Sequence, residues 1–208
     1  MTDSTTADIR HHNLLVFCLA FVSGFIIMAI ELLGGRILAP YFGSSIYVWG
    51  SIITVFMLSL SIGYLVGGRL SLHNPNLRRY GLFYIGGGVL LLPLVLWGDA
   101  LMQALFLRIT DPRYGSLLVS LLLFFLPTAV MGMIAPYSVR LLVSHSERSG
   151  HIAGTLYFIS TLGSAFGTLG TSFYLVLWFE VNQILLTMAA VMVVAGLVAM
   201  FGARRANS

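Results

Sequence analysis

Glu31 and Arg36 stand five residues apart inside a strongly apolar stretch, in "ELLGGRILAPYFGSSIYVWGS" (31–51), with Pro40 following and Tyr41, Tyr47 and Trp49 close behind. An ionised carboxylate in hydrocarbon costs several kcal/mol, from about 2.5 upward, so such a residue normally faces a bundle interior, water or a partner. Three chemistries compete for Glu31. It can pair with Arg36 or another arginine and pin the adjoining loop. It can take up and release a proton as a partly desolvated carboxylate. Or it can supply the anion for a cationic amine, with Tyr41, Tyr47, Trp49 and Tyr64 offering the aromatic faces that ammonium groups favour. Glu180, beside Trp178, is a candidate companion in any of these and otherwise a solvated turn residue. Gly34 and Gly35 are expected to loosen the helix here, and Pro40 to end it.

The elements that position these residues follow from composition. Of 208 residues, 58% are hydrophobic and 9% charged, with mean hydropathy +0.95. A soluble domain carries roughly 25% charged residues, so the chain reads as an integral membrane protein. At roughly 20 apolar residues per span, six spans are expected near 14–35, 47–68, 80–98, 116–138, 152–177 and 182–202. The expected fold class is thus an all-α membrane bundle of about six transmembrane helices. A polar tail over 1–12 precedes the transmembrane domain of 13–203, and a short tail of 204–208 follows it. The first apolar run is too long for a secretory signal, whose core is about 7–15 residues, and reads as a retained span. The stretch "DALMQALFLRI" (99–109) is amphipathic enough to lie in the interface as a short cap.

All eleven basic residues are arginine, and the net charge is +4. In a six-span arrangement Arg10, Arg69, Arg78, Arg79, Arg140, Arg148, Arg204 and Arg205 share one side, and Arg36, Arg108 and Arg113 the other. The positive-inside bias then puts both termini in the cytoplasm, in a membrane of the bacterial inner-membrane type. The charge marks loops, and no nucleic-acid partner is implied. Arg69, Arg78, Arg79 and Arg140 form an inner face that can anchor topology, hold acidic lipid or dock a cytoplasmic partner. No cofactor, metal site or catalytic residue is expected. Cys18 stands alone and reads as a packing residue, His145 and His151 lack companion ligands, and "GGG" (86–88) lies inside an apolar span with no strand before it.

Spans two and five carry small residues at helical spacing: Ser59, Gly63 and Gly67 in one, Gly163, Gly167 and Thr171 in the other. Such faces let helix backbones approach closely in lipid, and the two spans are expected to cross at the centre of the bundle. "GSIITVFMLSLSIG" (50–63) aligns without gaps on "GTLYFISTLGSAFG" (154–167), and Ala-Pro-Tyr recurs at 39–41 and 135–137. With three spans per unit the repeats would be inverted, an architecture common among secondary transporters.

Four stretches in order carry a family resemblance. "ELLGGRILAPYFGSSIYVWGSIITVF", "LSIGYLVGGRLS", "PTAVMGMIAPYSVRLL" and "AGTLYFISTLGSAFGTLGTSFYLV" resemble the membrane region of fused membrane-domain/spermidine-synthase-like proteins. The resemblance covers about residues 24–190. It implies a polyamine-linked membrane subunit, and a separate soluble aminopropyltransferase-like partner, since the usual soluble domain does not follow "FGARRANS". "GYLVGGRLSLHNPNLRR" also resembles the loop between spans two and three of major-facilitator carriers, with Gly67 or Gly68 in place of the usual aspartate. Six spans would make half such a carrier, with a homodimer supplying the rest. The leading expectation is a membrane protein that binds or translocates a cationic amine between two inverted units, with Glu31 and its aromatics as the site. The alternative is a non-transporting anchor for a soluble aminopropyltransferase-like enzyme, docked on the arginine face. A lipid or hydrophobic amine entering sideways is a third ligand class.

Overall fold

The computed structural model describes the backbone of residues 2–109, 111–143 and 149–205, and the side chains of 12–109, 111–143 and 149–202. Arg10, His11, His145, Arg148, Arg204 and Arg205 therefore lie outside the described side chains. The chain is all-helical, with no strand among the described residues. Helix α1 runs Thr2–Phe42, α2 Ile46–Leu70, α3 Leu77–Leu90, α4 Leu92–Phe106, α5 Pro112–Gly132, α6 Ile134–Leu142 and α7 Ser149–Gly170. A π-helical turn at Thr171–Leu175 leads into the short α8 (Val176–Trp178), and α9 covers Val181–Arg205. These join into six stretches long and apolar enough to cross a membrane: His12–Phe42, Ile46–Leu70, Leu77–Phe106, Pro112–Leu142, Ser149–Trp178 and Val181–Gly202.

Proline explains where spans three and four are divided. Pro93 lacks the amide that would bond four residues back, and span three breaks at Leu91 between α3 and α4. Pro136 acts likewise at Met133, dividing span four into α5 and α6. Pro40 does not end α1. It is accommodated in the last turn, and the helix stops at Phe42, where Gly43 takes φ +76°, a left-handed conformation natural to glycine. The polar dozen residues at the start continue α1 as helix, so α1 is 41 residues and about 60 Å long. Residues 99–106 do not form a separate short helix but continue α4, whose helix runs through Asp99 without a break. Cys18, expected as a packing residue, is exposed, on the same side of α1 as Leu14.

The bundle is built from three helix pairs. Span one lies along span five, span two along span four, and span three along span six. Spans two and five do not cross, because each uses its small-residue face on a different neighbour. A Cβ at Gly63 would fall on the Ala129 carbonyl oxygen and 2.8 Å from the Gly132 Cα, and one at Gly67 would meet the Met133 backbone. Gly163 and Gly167 sit against the Phe21 and Phe25 carbonyls of α1, while Gly24 of α1 sits against the Ser160 carbonyl of α7. The Ser164 hydroxyl adds a bond to the Gly24 carbonyl at 3.2 Å. Gly81 and Gly196 face one another's carbonyls between α3 and α9, and Gly88 lies against the Ala189 carbonyl. Gly34 and Gly35 leave α1 unbroken. They are seats for the Phe124 and Trp49 rings, respectively.

These contacts make the glycines unequal. Gly63→Ala or Gly167→Ala should lower stability by about 1–3 kcal/mol through overpacking against backbone. Gly68→Ala, where a Cβ meets nothing within 4 Å, should change it by less than about 0.5 kcal/mol. Thermal unfolding of the purified variants in detergent measures the contrast.

Candidate functional site

Glu31 and Arg36 are separated by five residues, which turns them about 140° apart around α1. They cannot share a face, and neither makes an ion pair or hydrogen bond among the described residues. Glu31 lies on the stripe Gly24–Met28–Glu31–Gly35, whose lower end meets span five at Ser160 and whose upper end meets Trp49 of span two. The half-buried carboxylate therefore faces the seam where spans two and five part.

Arg36 instead lines two cavities near the end of the bundle away from the termini. The first, about 270 Å³, lies between α1, α4 and the start of α9, and includes Tyr41, Asp99, Glu180 and Asn182. Two exposed carboxylates, Asp99 of α4 and Glu180 of the link between α8 and α9, thus line a cavity that also contains one guanidinium, for a formal charge of −1. The Tyr41 ring is held in place by an edge contact with Phe106, at 6.2 Å between centroids. The second cavity, about 410 Å³, lies between spans one, two and five and includes Ser44, Trp49, Thr171 and Ser172. A third, about 390 Å³, is almost wholly apolar and is lined by Phe21, Phe25, Leu175, Phe179 and Met188 among others.

The residues expected to form one aromatic cage around Glu31 are therefore distributed. Arg36, Tyr41 and Glu180 come together in the first cavity, and Trp49 joins Arg36 in the second. Tyr47 is occupied elsewhere: the Arg113 guanidinium stacks on its ring at 4.5 Å, and Arg113 donates to its hydroxyl at 3.3 Å. Tyr64 lies about 18 residues, or roughly 27 Å, along α2 from its start, near the opposite end of the bundle. The helical rise separates what the linear sequence places close together.

Asp99 is the acid that sequence reasoning passed over. Its signal is a short echo: "LVLWGD" (94–99) and "LVLWFE" (175–180) both place an acid two residues after tryptophan. Asp99 lies inside α4 and Glu180 just past the end of span five, and Trp97 and Trp178 are both exposed, as interfacial tryptophans commonly are. Also unforeseen is a buried tyrosine cluster toward the other end. Tyr80, Tyr84 and Tyr137 are each 0% exposed. The Tyr80 hydroxyl bonds those of Ser138, at 2.7 Å, and Tyr84, at 3.2 Å. The Tyr137 hydroxyl accepts from the Asn76 amide at 3.1 Å. That bond ties the loop between α2, which carries Arg69, and α3, which carries Arg78 and Arg79, to α6, which carries Arg140. All four arginines are exposed, and Arg79 donates to the His73 carbonyl at 2.5 Å.

Comparison of the chain with family models, with curated proteins and with solved structures finds no match. Tyr80→Phe removes a hydroxyl buried among Tyr84 and Ser138, and stability should fall by about 1 kcal/mol; unfolding in detergent measures it.

Proposed function

We propose that the protein is a membrane subunit that binds, and in its full working form translocates, a cationic amine. The observation that carries the reading is the convergence of Asp99, from span three, and Glu180, from the link between spans five and six, on the cavity beside Tyr41. Paired carboxylates next to an aromatic face suit an ammonium group and exclude a simple anion. Glu31 supplies a second, deeper carboxylate facing the seam between spans two and five, and an unpaired acid inside a spanning helix points to a functional role. A polyamine, with several ammonium groups spaced along an apolar chain, matches carboxylates distributed in this way.

The pairing of the spans supports an inverted three-plus-three arrangement. Exchanging the first three spans with the last three converts the one–five pair into the four–two pair and leaves three–six as itself. Movement of one unit against the other along the glycine seams would alternate access to the carboxylates. The arginine bias further places both termini in the cytoplasm, so that the acid-lined cavity opens outward. Reporter fusions at each terminus test this orientation.

A second reading is favoured by the Asn76–Tyr137 bond, which brings the loop flanked by Arg69, Arg78 and Arg79 to the helix bearing Arg140. In it the arginine face docks a soluble aminopropyltransferase-like enzyme and the bundle serves as its anchor. The two readings differ in which substitutions matter. Spermidine binding to the purified protein should weaken roughly tenfold or more in Glu31→Gln and in the Asp99→Asn/Glu180→Gln double variant. Equal binding by the folded variants would sink the amine reading, and co-purification of a soluble partner lost on arginine substitution would favour the anchor.

A further inference from the structure

The second cavity beside Arg36 has a different chemistry from the acid-lined one. Its lining contains Arg36, Ser44, Trp49, Thr171 and Ser172, and no carboxylate. Its polar groups are thus a cation and hydroxyl donors, set among apolar walls such as Leu32.

Thr171 is the informative residue. It is 1% exposed, and its Oγ1 has no hydrogen-bond partner among the described residues. Threonines in a helix usually satisfy the hydroxyl on the carbonyl four residues back, as Thr155, Thr168 and Thr187 do here. Thr171, like Ser120 and Thr128, does not, and of these three it is the one that lines a cavity described above. It also begins the π-helical turn, where the Val176 amide reaches back five residues to the Thr171 carbonyl. A π-turn inserts one residue into the helical phase and is frequent at functional sites. Here it coincides with a buried donor on the wall of a cavity that also contains an arginine making no ion pair among the described residues. An unmet buried hydroxyl costs free energy, and a ligand accepting from it would recover that cost.

The geometry points to a phosphate-binding site between spans one, two and five, with Arg36 and Thr171 as its principal donors and Ser44 and Ser172 beside them. A guanidinium fork with several hydroxyls matches a phosphate, which offers more acceptor oxygens than a carboxylate. Arg36 lies six residues, or about 9 Å, before the end of α1. That depth suits a lipid headgroup, and a free phosphate entering from the aqueous side has the same chemistry. This inference does not rest on the amine reading, which uses the other cavity.

The test uses the purified full chain with two probes. Phosphatidylglycerol is titrated into the detergent-solubilised protein and read by native mass spectrometry, and inorganic phosphate is read by thermal shift. Wild-type protein should bind phosphatidylglycerol, and a response to inorganic phosphate as well would identify a site open to the free anion. Arg36→Gln should weaken binding roughly tenfold or more. Thr171→Val should weaken it severalfold without lowering the melting temperature of the ligand-free protein, and Thr171→Ser should retain it. If wild type binds neither probe, or folded Thr171→Val binds as wild type does, the site is overturned.

Discussion

The structure depends on backbone meeting backbone at three glycine-bearing seams. In lipid there is little hydrophobic gain from bringing two apolar helices together, so association relies on dispersion and weak polar contacts at close range. Gly63 against the Ala129 carbonyl, Gly167 against the Phe25 carbonyl and Gly81 against the Gly196 carbonyl each bring helices nearer than any larger residue permits. The seams define which spans are partners, and everything at the ends of the bundle inherits its position from them. Because span five is committed to span one and span two to span four, the face of α1 carrying Glu31 looks into the parting between spans two and five.

The polar groups follow two different regimes. Toward the terminal end, Tyr80, Tyr84, Tyr137 and Ser138 satisfy one another and the loop at Asn76, forming a dry bonded cluster that fixes how span three meets α6. Toward the other end, Arg36, Asp99, Glu180 and Thr171 line cavities without closing on one another by direct bonds. A bonded cluster specifies structure, whereas unclosed polar groups beside a cavity are what a ligand site requires. Arg36 stands between an acid-lined space and a hydroxyl-lined space, so one side chain lines two cavities of opposite character.

Much of this was legible in the linear chain. Six apolar runs are local patterns, and each matches a stretch of helix long enough to cross a membrane. The small-residue faces of spans two and five are also close-contact faces, but on spans four and one and not on each other. Pro93 and Pro136 also act where they stand. The misread positions are those where local chemistry was overruled by packing. Gly34 and Gly35 suggested a loosened helix, yet rings from two other spans fill the space above them. Residues 99–109 suggested an interfacial cap, and continuity of hydrogen bonding drew most of that stretch into α4.

The sequence by itself determined that this chain is a bundle of membrane-spanning helices, because apolar length and scarcity of charge leave the backbone no other way to satisfy its hydrogen bonds in hydrocarbon. It also determined which residues were costly enough to need a purpose, Glu31 and Arg36 first among them. Only the tertiary structure decided that these two do not meet, since five residues turn a helix by about 140°. It alone brought Asp99 and Glu180, 81 positions apart, to one cavity, and set Thr171 beside Arg36 across a third span. Helical phase and the choice of glycine seam are properties of packed helices, and no single stretch of sequence contains them.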